Sequence, residues 1–114
     1  MRRRVDFDRV FQQGRHNSGR LLALRSASNE LAFSRFAYAI PKRVGPAVVR
    51  NRVRRRLREI LRVLPFQEGF DVVISVRPEA AQSSFYALKQ EVETLLRRAR
   101  LLAGPASSRA PSSP

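Results

Sequence analysis

The stretch VVRNRVRRRLREILRVL, Val48 to Leu64, carries two patterns at once. At a helical step of about 100° per residue, Val49, Val53, Leu57, Ile60, Leu61 and Leu64 fall on one stripe, which predicts a helix with one buried face. Asn51, Arg54, Arg55, Arg58 and Arg62 project the other way, and Arg50, Arg52 and Arg56 lie on the flanks. Pro65 ends this helix. Upstream, Val5 or Phe7, Val10 and Phe11 recur at helical spacing, with Asp6 as N-cap and Gly14 as a stop, so a short first helix is predicted. Downstream, Ser83 or Ser84 caps a last helix whose Phe85, Leu88, Val92, Leu95, Leu96 and Ala99 repeat at the same period.

Between these helices the period changes from helical to alternating. RLLALRS, Arg20 to Ser26, and AFSRFAYAIP, Ala32 to Pro41, each have one heavily apolar side and flank a turn-forming ASNE, which predicts a hairpin. Leu22 and Leu24 alternate with Ala23 and Arg25; Phe36, Tyr38 and Ile40 alternate with Arg35, Ala37 and Ala39. The lighter side of that sheet is a candidate surface. FDVVISV, Phe70 to Val76, is a continuous β-branched run that suits a buried central strand. The predicted order is helix, two strands, basic helix, strand, helix, with room for a further short strand. One sheet with the helices on one side packs this economically, giving an α+β domain. The basic helix is a crossover, which the general rule makes right-handed.

Composition turns the basic helix from a curiosity into the main question. The 114 residues and 43% hydrophobic content suit one domain with a modest core, expected over 1–103, whereas GPASSRAPSSP at 104–114 has nothing to bury and is expected to be disordered. Lys+Arg 23 against Asp+Glu 9 gives a formal charge of +14, a field that attracts polyanions. Zero cysteines exclude a disulfide scaffold and a Cys-ligated zinc site. The apolar runs are too short to span a bilayer and Met1 is followed by arginines, so a cytoplasmic protein with no membrane partner is expected.

Catalytic chemistry has little to stand on. His16 is the only histidine and reads as a loop residue; the carboxylates are scattered, and VGPAVV lacks the spacing of a phosphate loop. Binding has more. Arginine grips phosphate through a planar fork, and this helix uses arginine without lysine, with Glu59 as its one acid. Lys42 and Arg43 precede the helix, and Gly45 and Pro46 shape its start, where free amides can meet a phosphate. Asn51 can both donate and accept. Phe7 and Phe11, one turn apart, are either core aromatics or a platform for unpaired bases. A ribosomal-type RNA binder and a helix-insertion DNA binder share the charge, but no helix-turn-helix spacing is visible for the latter.

DFDRVFQQG, PKRVGPAVVRNRVRRRLREIL and GFDVVISVRPEAA, in this order and spacing, closely resemble the protein subunit of bacterial ribonuclease P from about Val5 to Leu102. The resemblance implies a sheet of about four strands with three helices, ribosomal-protein-like. It also implies an unusual left-handed β-α-β crossover carrying the RNR helix, overriding the right-handed rule. It implies that Lys42, Arg43, Arg50, Asn51, Arg52, Arg54, Arg55, Arg56 and Arg58 face RNA, and that Phe7, Phe11 and Arg25 line a cleft for the 5′ leader of precursor tRNA. The implied partners are the ribonuclease P RNA, one per protein, and precursor tRNA. In that family the RNA, with magnesium held mainly by RNA, cleaves the phosphodiester and the protein alone is inactive. Arg25 stands near where the family often has an aromatic residue, implying a cationic substitute, and Pro41 stands where a serine is common.

Overall fold

The computed structural model describes residues 10–12 and 14–102. Asp6, Phe7, the arginines at 2–4 and the segment 104–114 lie outside the described residues. Four strands, β1 (Arg15–Ser18), β2 (Leu22–Ser28), β3 (Arg35–Ala39) and β4 (Phe70–Val76), form one sheet in the order β1-β2-β4-β3. Two long helices, α1 (Ala47–Arg62) and α2 (Phe85–Arg98), accompany them, with 3-10 turns at Lys42–Val44 and Pro78–Gln82 and a helical segment at 10–12.

The expected hairpin between the second and third strands does not form. β4 lies between them, antiparallel to β2 and parallel to β3. The reason is burial: β4 is the most buried strand, so its backbone N–H and C=O groups must be paired along both edges, which β2 and β3 provide. β2 hairpins instead with β1, whose RHNS sequence carries no apolar signal and places His16 in a strand, opposite Arg25, rather than in a loop. The connection from β3 through α1 to β4 is a parallel crossover.

Alternation along β2 and β4 assigns the two faces. Leu22, Leu24, Val72, Ile74 and Val76 join Val53, Leu57, Ile60 and Leu61 of α1 and Leu88, Val92, Leu95 and Leu96 of α2 in one core. The predicted stripes of both helices are therefore the buried ones, except that Val49 is half-buried, Leu64 is half-buried and lies past the end of α1, and Phe85 stays 40% exposed at the first turn of α2. Ser84 caps that helix by accepting from the Ala87 amide at 3.0 Å. Helices do not occupy one side only. Arg25 points to the other face, and its guanidinium carbon lies 4.9 Å from the Phe11 ring centroid, so residues 10–12 sit on that face. Gly14 makes this possible: a Cβ there would meet the Val10 and Ser26 carbonyl oxygens at 2.3 and 2.5 Å.

Candidate nucleic-acid interface

α1 presents its arginines in two populations. Val53 and Leu57 fix the helix to the core, and the 3.6-residue period then turns Asn51, Arg55, Arg58 and Arg62 into solvent. Arg54 is half-buried and donates from Nη1 to Asn51 Oδ1 at 2.8 Å, which holds the amide in place on this side. Arg55, Arg58 and Arg62 border a shallow groove with Glu59, the one acid among them. Helix geometry alone thus concentrates positive charge along one ridge.

The flanking arginines turn back onto the protein. Arg50 Nε donates to the Gly45 carbonyl at 3.1 Å, Arg52 Nη2 to Ala81 O at 2.9 Å, and Arg56 Nη1 to Ser83 O at 3.2 Å. Arg52 and Arg56 therefore latch α1 to the segment leading into α2. Arg52 Nε is buried without a hydrogen-bond partner, so this side chain is committed inward more than its neighbours. The sequence gives no sign of this role, because its acceptors are main-chain carbonyls contributed nearly thirty residues away.

Lys42 and Arg43 are exposed on the 3-10 turn before α1. Neither a capping side chain nor a first-turn acid occupies the start of α1 after Pro46, so its positive end is uncompensated. Arg58 also faces Tyr38 of β3. Burial pushes the Tyr38 hydroxyl above its ordinary pKa of 10.0, and Arg58 pulls it partly back.

The opposite face of the sheet is a second candidate surface. By alternation Ala23, Arg25, Ser75, Ala37 and Ala39 share it around the fully buried Val73, so mostly small side chains make a floor beside the Phe11–Arg25 stack. Arg25 sits in the middle of β2 rather than near its end, and Phe11 is 42% exposed. Phe7, the third residue expected here, lies outside the described residues. One edge of this floor is closed by a polar triad missed at the level of sequence. Asp71, fully buried, accepts from Arg35 Nε and Nη2 at 2.8 and 2.7 Å and from Asn29 Nδ2 at 2.9 Å. Asp71 opening a strand of apolar residues, with an arginine on the neighbouring strand, is the signal that could have found it.

Among the described residues no three His, Cys, Asp or Glu side chains come together, and no helix is long and apolar enough to cross a membrane. The family model described as Ribonuclease P matches residues 1–100. The ribonuclease P protein component of Caldanaerobacter subterraneus subsp. tengcongensis is 34% identical over 103 residues, covering 89% of each chain. That of Roseiflexus castenholzii is 40% identical over 104 residues, covering 89% of this chain and 85% of its own. Among solved structures, the RNase P protein of Thermotoga maritima superposes with a TM-score of 0.76 at 27% identity, covering 86% of this chain and 94% of its own. The Staphylococcus aureus RNase P protein superposes with a TM-score of 0.81 at 22% identity, covering 90% and 95%, a likeness of fold. Superposition at this level shows that these chains share the four-stranded mixed sheet and its helices.

Proposed function

Because the chain belongs to the ribonuclease P protein family, we propose that its α1 ridge binds the ribonuclease P RNA while the sheet floor beside Phe11 and Arg25 receives the 5′ leader of precursor tRNA. In this reading the protein promotes magnesium-dependent removal of the leader by the RNA, and one protein joins one RNA subunit. The observation that carries it is the exposed ridge of Asn51, Arg55, Arg58 and Arg62, held in line by a fully buried stripe on the same helix. Guanidinium forks spaced along a rigid helix match successive phosphates of a folded RNA, and a rigid scaffold loses little entropy on docking. Arg54, Lys42 and Arg43 extend the same positive field at the start of the helix.

The second surface supports the leader role by its chemistry. An exposed ring with a guanidinium over it offers a stacking platform for an unpaired base, and small residues beneath leave room for the strand. Magnesium supplies charge stabilisation at the scissile phosphate when bound to the RNA. In this reading the RNA holds the magnesium, and no protein residue is assigned to it. The protein residues bind and orient; they transfer no proton in this reading.

Reconstitution with the cognate RNA at low magnesium tests the proposal. Precursor tRNA cleavage is expected to rise when the protein is added and to fall back when Arg55 and Arg58 are both replaced by alanine in a folded protein. Specific cleavage by protein freed of RNA, or full stimulation by the double variant, would overturn it.

A further inference from the structure

A cavity of about 580 Å³, within the ~300–1,000 Å³ range of small-ligand sites, opens beside the end of α2 and shares no lining residue with the α1 ridge or the Phe11–Arg25 stack. Arg15, Ser26, Ser28, Glu30, Phe70 and Arg100 line it. β1 and β2 bring Arg15 opposite Ser26, and β4 brings Phe70 opposite Ser28. α2 contributes Arg100 from the residue after its C-cap, where the Arg100 amide bonds to Arg97 O and the Leu101 amide to Leu96 O. That position calls for a left-handed residue, usually glycine. Arg100 holds it at φ 60, and Glu30, on the same cavity wall, also has φ 60. These two are the described non-glycine residues with positive φ, so both departures from ordinary backbone geometry border one cavity. Ser26, one of two buried polar residues described, lines it as well.

The lining is mixed in a way that selects among ligands. Two guanidiniums suit a phosphate, but Glu30 would repel a bare anion. Glu30 and the serine hydroxyls suit the N–H and O–H donors of a base or ribose, and the Phe70 ring supplies an apolar wall. We propose that this cavity binds one nucleotide, its phosphate toward Arg15 and Arg100 and its base toward Phe70 and Glu30. α1 runs toward the same end of the molecule, where the Gln67 amide bonds to Leu101 O at 2.7 Å and Phe66 bridges Leu102. A nucleotide of an RNA strand and a free nucleotide share the required chemistry.

Nuclear magnetic resonance of the full chain, titrated with adenosine 5′-monophosphate, inorganic phosphate or a five-nucleotide RNA, tests the site. Amide shifts at Ser26, Ser28 and Phe70 are expected with both nucleotide probes. Markedly tighter binding of the oligomer assigns the site to an RNA strand, and equal binding assigns it to free nucleotide. Arg100→Gly removes the guanidinium while suiting the left-handed backbone, so the melting temperature should hold or rise while affinity falls about tenfold, one charge-assisted hydrogen bond's worth. Arg55→Ala should leave the cavity shifts in place, which separates this site from the α1 ridge. The proposal is overturned by unmoved cavity amides, by inorganic phosphate acting as strongly as the nucleotides, or by unchanged affinity in folded Arg100→Gly.

Discussion

Asp71 is the residue whose environment constrains the protein most. A carboxylate with no exposure is tolerable when paired, and here Arg35 grips both of its oxygens and Asn29 donates to one of them. Arg35→Ala is expected to cost about 3 to 5 kcal/mol, since it strands a buried charge. Arg35→Lys should recover only part of this, having no fork to span both oxygens. Chemical denaturation of the three proteins checks the order. Tyr38 makes a second prediction at this scale. Its pKa is raised by burial against the pull of Arg58, so the folded state holds the phenolic proton more tightly than the unfolded chain. The stability this gives is complete below pH 10.0 and is lost as pH climbs through the higher folded value. Arg58→Ala should push the Tyr38 titration further up, measured by ultraviolet absorbance in a Tyr86→Phe background; a downward move would contradict the assigned contact.

At the scale of elements, α1 separates latching from presenting arginines, and the two kinds should fail differently. Arg55→Ala should leave folding intact and flatten the salt dependence of RNA binding by ~0.7 to 0.9 in log–log slope, one phosphate's worth. Arg52→Ala should lower the melting temperature first, because it frees α1 from the Ala81 carbonyl. Equal stability of the two variants would remove the latch. What is legible in the sequence follows the same division. The stripe Val53, Leu57, Ile60 and Leu61 and the run Val72 to Val76 declare their burial because apolar periodicity is a local property. Arg52, Arg56 and Glu91 do not declare theirs. Glu91 Oε2 accepts from the Leu21 and Leu22 amides at 2.7 and 2.6 Å, a staple between α2 and β2 that depends on chain distant in sequence. The pairing order of the strands was equally hidden, since β2 and β3 look like neighbours until β4 competes for both.

For the whole molecule the arrangement is two-sided, with the α1 ridge over the helix-covered face and the Phe11–Arg25 stack on the other. The proposed leader side can therefore be tested without disturbing the ridge. Phe11→Ala should weaken precursor tRNA by roughly 1 to 3 kcal/mol and leave mature tRNA nearly unaffected. Equal losses on the two ligands, compared at a temperature where both proteins are folded, would make Phe11 a core residue instead. The sheet order also fixes a timetable. β4 is the last of the described strands to be synthesised yet lies between β2 and β3, so during translation the inward edges of both wait, with open hydrogen-bonding groups, until Phe70–Val76 emerges. Every contact that completes the sheet is long-range in sequence, which slows folding relative to a hairpin-first topology. A nascent chain halted before Phe70 can build only the β1–β2 hairpin, and its positive charge then becomes its protection, keeping exposed strands of neighbouring copies apart until the last strand arrives.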